Sequence, residues 1–245
     1  MKKVLITGAH GFIGRNLIEK IGKKYLIFNY DKNNTIEELE NFIIDSEVIV
    51  HLAGSNRPLD FIEYNEVNFG LTQIITNFIK KHSLKTPIIF SSSIQATLNN
   101  PYGESKKKAE DLLIQFSKEN NCNVFILRLT NVFGKWCKPN YNSVVATFCY
   151  NIAKDLQINI NDSNALLKLI FIDDVTNKII ELINFVGEYR SENIIELETY
   201  HEVRLGELAE LIYSFKNNSV IDFSDKDFVN KLKRTYEAYE TEFKK

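Results

Sequence analysis

Three glycines at three-residue spacing, Gly8, Gly11 and Gly14, lie in the string T-G-A-H-G-F-I-G at positions 7–14. Val4, Leu5 and Ile6 precede them as a short run of strand formers, and Ile13, Leu17, Ile18 and Ile21 follow at helical spacing. The pattern is strand, tight turn, helix. Gly8 permits the turn, Gly11 lets the backbone approach a pyrophosphate, and Gly14 lets helix and strand pack closely, with phosphates at the helix N-terminus. The spacing is G-x-x-G-x-x-G instead of the usual G-x-G-x-x-G, and it points to a dinucleotide site.

Further apolar runs near residues 25–30, 48–52, 87–91, 124–129 and 168–172 alternate with helical patterns near 35–45, 60–82, 102–120 and 173–186. Such alternation predicts an α/β chain with a Rossmann-type, doubly wound parallel sheet, whose ligands sit at the carboxyl ends of the strands. Segments 131–154 and 187–245 break the alternation and are expected to form a small substrate-binding cap. The Rossmann core is then about 1–130 and 155–186 of a single domain, with the charged, aromatic stretch from Asp222 as a peripheral helix.

A formal net charge of −2 gives no general attraction to nucleic acid or an anionic membrane. Cys122, Cys137 and Cys149 are odd in number and form no C-x-x-C pair, as expected of a reduced, cytoplasmic protein. No apolar run approaches the length of a membrane span. The four histidines are scattered, so no metal site is expected.

Tyr102 and Lys106, in Y-G-E-S-K, are one helical turn apart and project from one face. A neighbouring ammonium favours the phenolate of a tyrosine, whose pKa is ordinarily about 10, so Tyr102 can exchange a proton with a substrate oxygen near neutral pH. Tyr150 and Lys154 repeat the spacing, so spacing alone does not decide. Context separates them: Tyr102 follows the strand Ile88-Ile89-Phe90 and the cluster Ser91-Ser92-Ser93. A serine hydroxyl there can orient a substrate carbonyl. Ser93 is favoured by its offset from the following loop, with Ser92 as rival.

The glycine string together with these serines, Tyr102 and Lys106 resembles the extended short-chain dehydrogenase/reductases, the NAD-dependent epimerase/dehydratase family. H-L-A-G-S-N-R-P (51–58), S-S-S-I-Q-A-T (91–97), N-P-Y-G-E-S-K (100–106) and the long segment 131–150 are similar to the reductase domain of CapF-type capsular polysaccharide enzymes. The resemblance implies NAD(P)H-dependent reduction of the C4 ketone of a UDP-2-acetamido-2,6-dideoxy-hexos-4-ulose, on the route to UDP-N-acetyl-L-fucosamine for capsule or O-antigen. It implies Ser93, Tyr102 and Lys106 as the catalytic set. The cofactor would lie on Gly8, Gly11, Phe12, Ile13, Gly14, Asp31, Lys32, Leu52, Ala53, Gly54, Tyr102 and Lys106. A homodimer through helices near 60–82 and 102–120 is also implied.

Residue types suit a UDP-sugar independently. Arg128, Lys135 and Lys138 can neutralise a diphosphate, Asn131, Asn140 and Asn142 can bind sugar hydroxyls, and Trp136 or Tyr141 can stack on uracil, with Arg57 a further substrate-binding candidate. Ile94 and Gln95 stand where dehydratases of the family carry an Asp-Glu pair, so dehydration is not expected. CapF-type enzymes carry a second, cupin domain that epimerises C3, and nothing cupin-like occurs here. The expected partner is therefore a separate cupin-type epimerase, or that domain has been removed. Asp31, about 20 residues past the turn, sits where an acidic side chain binds the ribose hydroxyls of NAD and repels a 2′-phosphate. The resemblance nevertheless puts NADPH first, with Lys32 to hold the phosphate and NADH close behind. A UDP-hexose 4-epimerase with tightly bound NAD is the alternative, and a non-enzymatic dinucleotide-binding protein the second alternative.

Overall fold

The structure, a computed structural model, describes residues 1–55, 64–186 and 194–241, with residues 64–66 described in their backbone alone. It divides into two compact units, Met1–Leu129 with Thr176–Leu197, and Thr130–Val175 with Glu198–Lys245.

In the first unit, strands β1 (Lys3–Thr7), β2 (Leu26–Tyr30), β3 (Val48–His51), β4 (Ile88–Ser93), β5 (Val124–Leu129) and β8 (Ile194–Glu196) form one sheet in the order β2-β1-β3-β4-β5-β8. Every pairing in it is parallel. Such a sheet is covered on both faces, which explains the unbroken apolar strands. Residues of one pleat face, among them Leu5, Ile49, Ile88, Phe90 and Ile126, pack with Leu39 and Ile43 of α2 (Ile36–Asp45), Ile75 and Ile79 of α3 (Leu71–Lys81), and Ala109, Leu113 and Phe116 of α4 (Pro101–Asn120). The alternate residues Val4, Ile6, Val50 and Ile89 are equally buried on the other face, the side of α1 (Phe12–Ile21). Thr35 and Glu38 cap α2 reciprocally through Thr35 Oγ1 and Glu38 Oε2. The chain leaves β1 for β2 on one side and returns to β3 on the other, so a topological switch point opens beyond the carboxyl ends of β1 and β3.

In the second unit, β6 (Asn131–Phe133), β7 (Leu166–Phe171) and β9 (Tyr200–Arg204) form a three-stranded sheet. Here the structure corrects the expected strand assignment. The run at 168–172 is a strand, but it pairs with β6 and β9, and the sixth place in the large sheet is taken by three-residue β8, too short to give a periodic signal. Among the described residues, 155–175 thus fall with the second unit and 194–197 with the first. Helices α5 (Val144–Ala153), α7 (Leu205–Lys216) and α8 (Lys226–Thr241) complete it, while α6 (Ile172–Phe185) starts in this unit and ends in the first. The terminal helix α8 is not peripheral: Phe228, Leu232, Tyr236 and Tyr239 form a buried stripe, and the Tyr239 hydroxyl donates to the Cys137 carbonyl. No helix among the described residues is long and apolar enough to cross a membrane.

Candidate active site

The glycine turn follows β1 directly. Gly8 has φ +69°, a conformation L side chains avoid, and a Cβ there would stand 2.8 Å from the Ala53 nitrogen. At Gly14 a Cβ would stand 2.4 Å from the Gly8 carbonyl oxygen, so helix α1 can approach the turn only with glycine there. The first-turn N–H groups of Phe12 and Ile13 have no acceptor within the helix, and no acidic residue occupies that turn. This cradle fits a dinucleotide pyrophosphate. The Gly8 N–H donates to the Tyr30 carbonyl at 2.9 Å, fastening the turn to the end of β2. Asp31 comes next. Its Oδ1 accepts from the Asn33 N–H at 2.8 Å and its Oδ2 lies 3.0 Å from His10 Nε2, while Lys32 is exposed.

A buried polar path joins the turn to the helix that carries Tyr102. Thr7 Oγ1 accepts from the Ala53 N–H at 3.2 Å and meets His51 Nδ1 at 2.7 Å; His51 Nε2 meets Thr72 Oγ1 at 3.0 Å. Thr72 spends its one proton on the Asn68 carbonyl, so it accepts from Nε2–H, and His51 is neutral with Nδ1 accepting from Thr7. Burial and the nearby Lys106 charge push the His51 pKa down to about 3, in line with that tautomer. Asn68 closes the path. It lies in a π-helical turn, Tyr64–Gly70, exchanges two hydrogen bonds with the Ser55 backbone, and donates to Ser105 Oγ at 3.0 Å; Ser105 in turn donates to the Tyr102 carbonyl at 2.7 Å.

Pro101 opens α4, and Asn100 caps it by accepting from the Gly103 N–H at 2.8 Å. Tyr102 is partly exposed in the first turn, and Lys106 one turn on is 4% exposed. Lys106 Nζ donates to the Ser91 carbonyl at 3.0 Å and lies 4.9 Å from the centroid of the Phe90 ring. Burial lowers its pKa to about 8, against the opposing charge of Glu110. A Cβ on Gly54 would stand 3.0 Å from that Nζ, so the chain after β3 approaches the lysine as closely as backbone can. The two rival serines differ. Buried Ser92 donates to Glu110 Oε1 at 2.7 Å, whereas half-buried Ser93 ends β4 and its Oγ accepts the Gln95 N–H at 3.2 Å.

The residues expected to meet a UDP-sugar fall in different places. Arg128, on β5 of the first unit, grips Glu110 through Nε at 2.9 Å and Nη2 at 2.6 Å. Asn131, Lys135, Trp136, Lys138 and Asn142 belong to the second unit. There Lys135 lies 4.3 Å over the Trp136 ring, Lys138 lies 5.1 Å over Tyr141, and Trp136 adopts φ +68°. Arg57 lies outside the described residues. Lys154 Nζ, at the C-cap of α5, donates to the Tyr150 hydroxyl at 3.0 Å. The sequence reasoning passed over His51, Asn68, Ser105 and Glu110. Glu110 carried a usable signal, since 102, 106 and 110 share one helical face; Asn68 carried none, because only the tertiary fold brings it to Ser55 and Ser105.

Comparison with known proteins agrees with this geometry. The model of the NAD dependent epimerase/dehydratase family matches residues 4–196. The chain is 38% identical over 218 residues to a UDP-2-acetamido-2,6-beta-L-arabino-hexul-4-ose reductase of Pseudomonas aeruginosa, covering 88% of this chain and 58% of that protein. It is 28% identical over 189 residues to a UDP-glucose 4-epimerase of Vibrio cholerae, covering 59% of this chain and 56% of that one. Among solved structures, the capsular polysaccharide assembling protein CapF of Staphylococcus aureus superposes with a TM-score of 0.82 at 38% identity, over 97% of this chain and 64% of its own. The chain therefore spans less than two thirds of each of these three relatives. A UDP-glucose 4-epimerase of Thermotoga maritima, at 18% identity and TM-score 0.82, shares the fold. On the family match and these identities, the chain belongs to the NAD dependent epimerase/dehydratase family.

Proposed function

We propose that the chain reduces the C4 ketone of a UDP-2-acetamido-2,6-dideoxy-hexos-4-ulose, in nucleotide-sugar biosynthesis for capsule or O-antigen. One observation carries this: a buried Lys106, held on the Ser91 carbonyl, shares a helix face with Tyr102 beside the strand that ends in Ser93, in a chain 38% identical to a reductase of such a sugar. The glycine turn at Gly8, Gly11 and Gly14, with Tyr102 and Lys106, would hold a reduced nicotinamide cofactor, which would supply the hydride for the ketone carbon. Ser93 Oγ donates a hydrogen bond to the carbonyl oxygen and orients it. Tyr102 delivers its phenolic proton to the same oxygen, completing the alcohol, and Lys106 as an ammonium stabilises the phenolate left behind.

NADPH is the proposed cofactor, with Lys32 as the positive group for a 2′-phosphate and Asp31 as the reason NADH is its direct rival. The same reading includes a cytoplasmic homodimer and a cupin-type C3 epimerase as partner, either a separate protein or a domain outside this sequence. The test follows NADPH and NADH oxidation by the purified chain on the 4-keto sugar, with and without a C3-epimerising cupin protein. Oxidation that depends on the epimerase is expected, and no oxidation in either condition defeats the proposal. Asp31 and the likeness to the Vibrio cholerae enzyme favour a second reading, a UDP-hexose 4-epimerase; NAD that copurifies and survives gel filtration would select it.

A further inference from the structure

Glu110 has no part in the chemistry above, yet it is wholly buried. A carboxylate withdrawn from water needs strong compensation. Its compensation comes from both flanking strands: Ser92 Oγ of β4 donates to Oε1 at 2.7 Å, Arg128 Nε of β5 donates to Oε1 at 2.9 Å, and Arg128 Nη2 donates to Oε2 at 2.6 Å. Arg128 is itself only 13% exposed in its side chain, and Glu196 of β8 stands 3.9 Å from its Nη1.

Three consecutive residues of β4 therefore have three different duties. The Ser91 carbonyl receives Lys106, the Ser92 hydroxyl receives Glu110, and the Ser93 hydroxyl stands at the open end. Because Lys106 and Glu110 are both on α4, the strand and the helix are fastened at two points one turn apart.

We propose that Glu110 is a positioning residue for Tyr102 and Lys106: held by Ser92 of β4 and Arg128 of β5, it sets a negative charge on α4 one turn from Lys106, which holds that lysine in place as the ammonium beside Tyr102. The charges around the pair support this assignment. Among the described residues, His51 on β3 is neutral and brings no charge against Lys106, the Phe90 ring lies 4.9 Å from the ammonium, and Glu110 is the carboxylate whose field favours the charged amine. Arg128 balances Glu110 from the far side, with Glu196 and Asp111 acting on the guanidinium.

The inference rests on the proposed roles of Tyr102 and Lys106, and its test needs no substrate. The phenolate absorbance of the whole chain is titrated with pH, and the same titration of a Tyr102→Phe variant is subtracted to isolate Tyr102. Glu110→Gln should let Lys106 lose its proton at lower pH and so raise the Tyr102 midpoint, by less than the roughly one pH unit that loss of an opposite charge in direct contact would give. Ser92→Ala removes a hydrogen bond at the same place and keeps every charge, so it should leave the midpoint in place. An unmoved midpoint in Glu110→Gln overturns the inference; so does an equal shift in Ser92→Ala, which would trace the effect to packing. If Glu110→Gln does not fold, Glu110→Asp replaces it, with a smaller upward shift expected and no shift overturning the inference. Failure of the sugar-reduction assay alongside the expected titrations would count against the substrate and leave Glu110 in its role.

Discussion

Gly103 separates Tyr102 from the rest of α4, and replacing it with alanine tests how closely the helix must approach the turn that carries Ser93. A Cβ at this position would stand 2.1 Å from the Gln95 carbonyl oxygen and 2.7 Å from that of Leu98. The first distance is more than an ångström inside van der Waals contact, and both obstacles are backbone, which no rotamer change can relieve. Alanine in a helix otherwise gains up to about 1 kcal/mol over glycine. Overpacking of this kind costs about 1–3 kcal/mol, so the clash wins, and at about 2–4 °C per kcal/mol the melting temperature should fall by several degrees. The larger effect is on rate. Relief of the clash moves the first turn of α4 by about 1 Å relative to Ser93, and misplacement on that scale costs about 100-fold in kcat. Steady-state NAD(P)H oxidation on the 4-keto sugar, with cofactor affinity measured by fluorescence, separates lost chemistry from lost binding. A folded Gly103→Ala variant with unimpaired kcat would refute the claim that this approach sets the geometry of the catalytic groups.

His51 is neutral in the fold and titrates near 3, whereas an unfolded chain takes up this proton near 6.5, so stability should fall as pH drops through that window, by about 1.4 kcal/mol per unit. Thermal unfolding across pH 4–7 should show a shallower slope in His51→Gln, and equal slopes would contradict the assignment. Asp31→Ser removes the carboxylate at the end of β2 and should move the NADPH over NADH preference by at least about tenfold toward NADPH; an unchanged ratio in side-by-side binding would remove Asp31 from cofactor choice. All three cysteines are buried, and burial raises each thiol, Cys122 to about 11, so a thiol reagent at pH 8 should label the native chain slowly and the denatured chain at once. Rapid labelling of the native chain would contradict the packing around them.

The nucleotide-binding half was legible because its signals are local. The glycine string, the apolar strands and the helical stripes each depend on residues a few positions apart, and β1 to β5 lie where their periodicity predicts. The second unit was harder to read for the converse reason. β8 and β6 are three residues long, β9 alternates polar and apolar, and β7 looks from its composition like any buried strand until its partners are known. The terminal helix looked peripheral because its aromatics are interleaved with charge, yet residues 228, 232, 236 and 239 fall on one stripe that the fold buries. In the candidate site, Ser93, Tyr102 and Lys106 can be singled out from motif and context, and the fold adds that Lys106 is buried on the Ser91 carbonyl. Arg128 is a candidate substrate contact by residue type, and its grip on Glu110 depends on β5 lying beside α4, which no spacing encodes.

The close approach of Gly54 to Lys106 makes position 54 a place where the seat of the lysine can be tuned. A Cβ there would meet the Asn68 amide oxygen at 2.9 Å and the Lys106 ammonium at 3.0 Å, both of them ends of flexible side chains. An alanine can therefore be accommodated if those two ends give by a few tenths of an ångström, whereas a larger side chain must push the ammonium away from the Ser91 carbonyl that holds it.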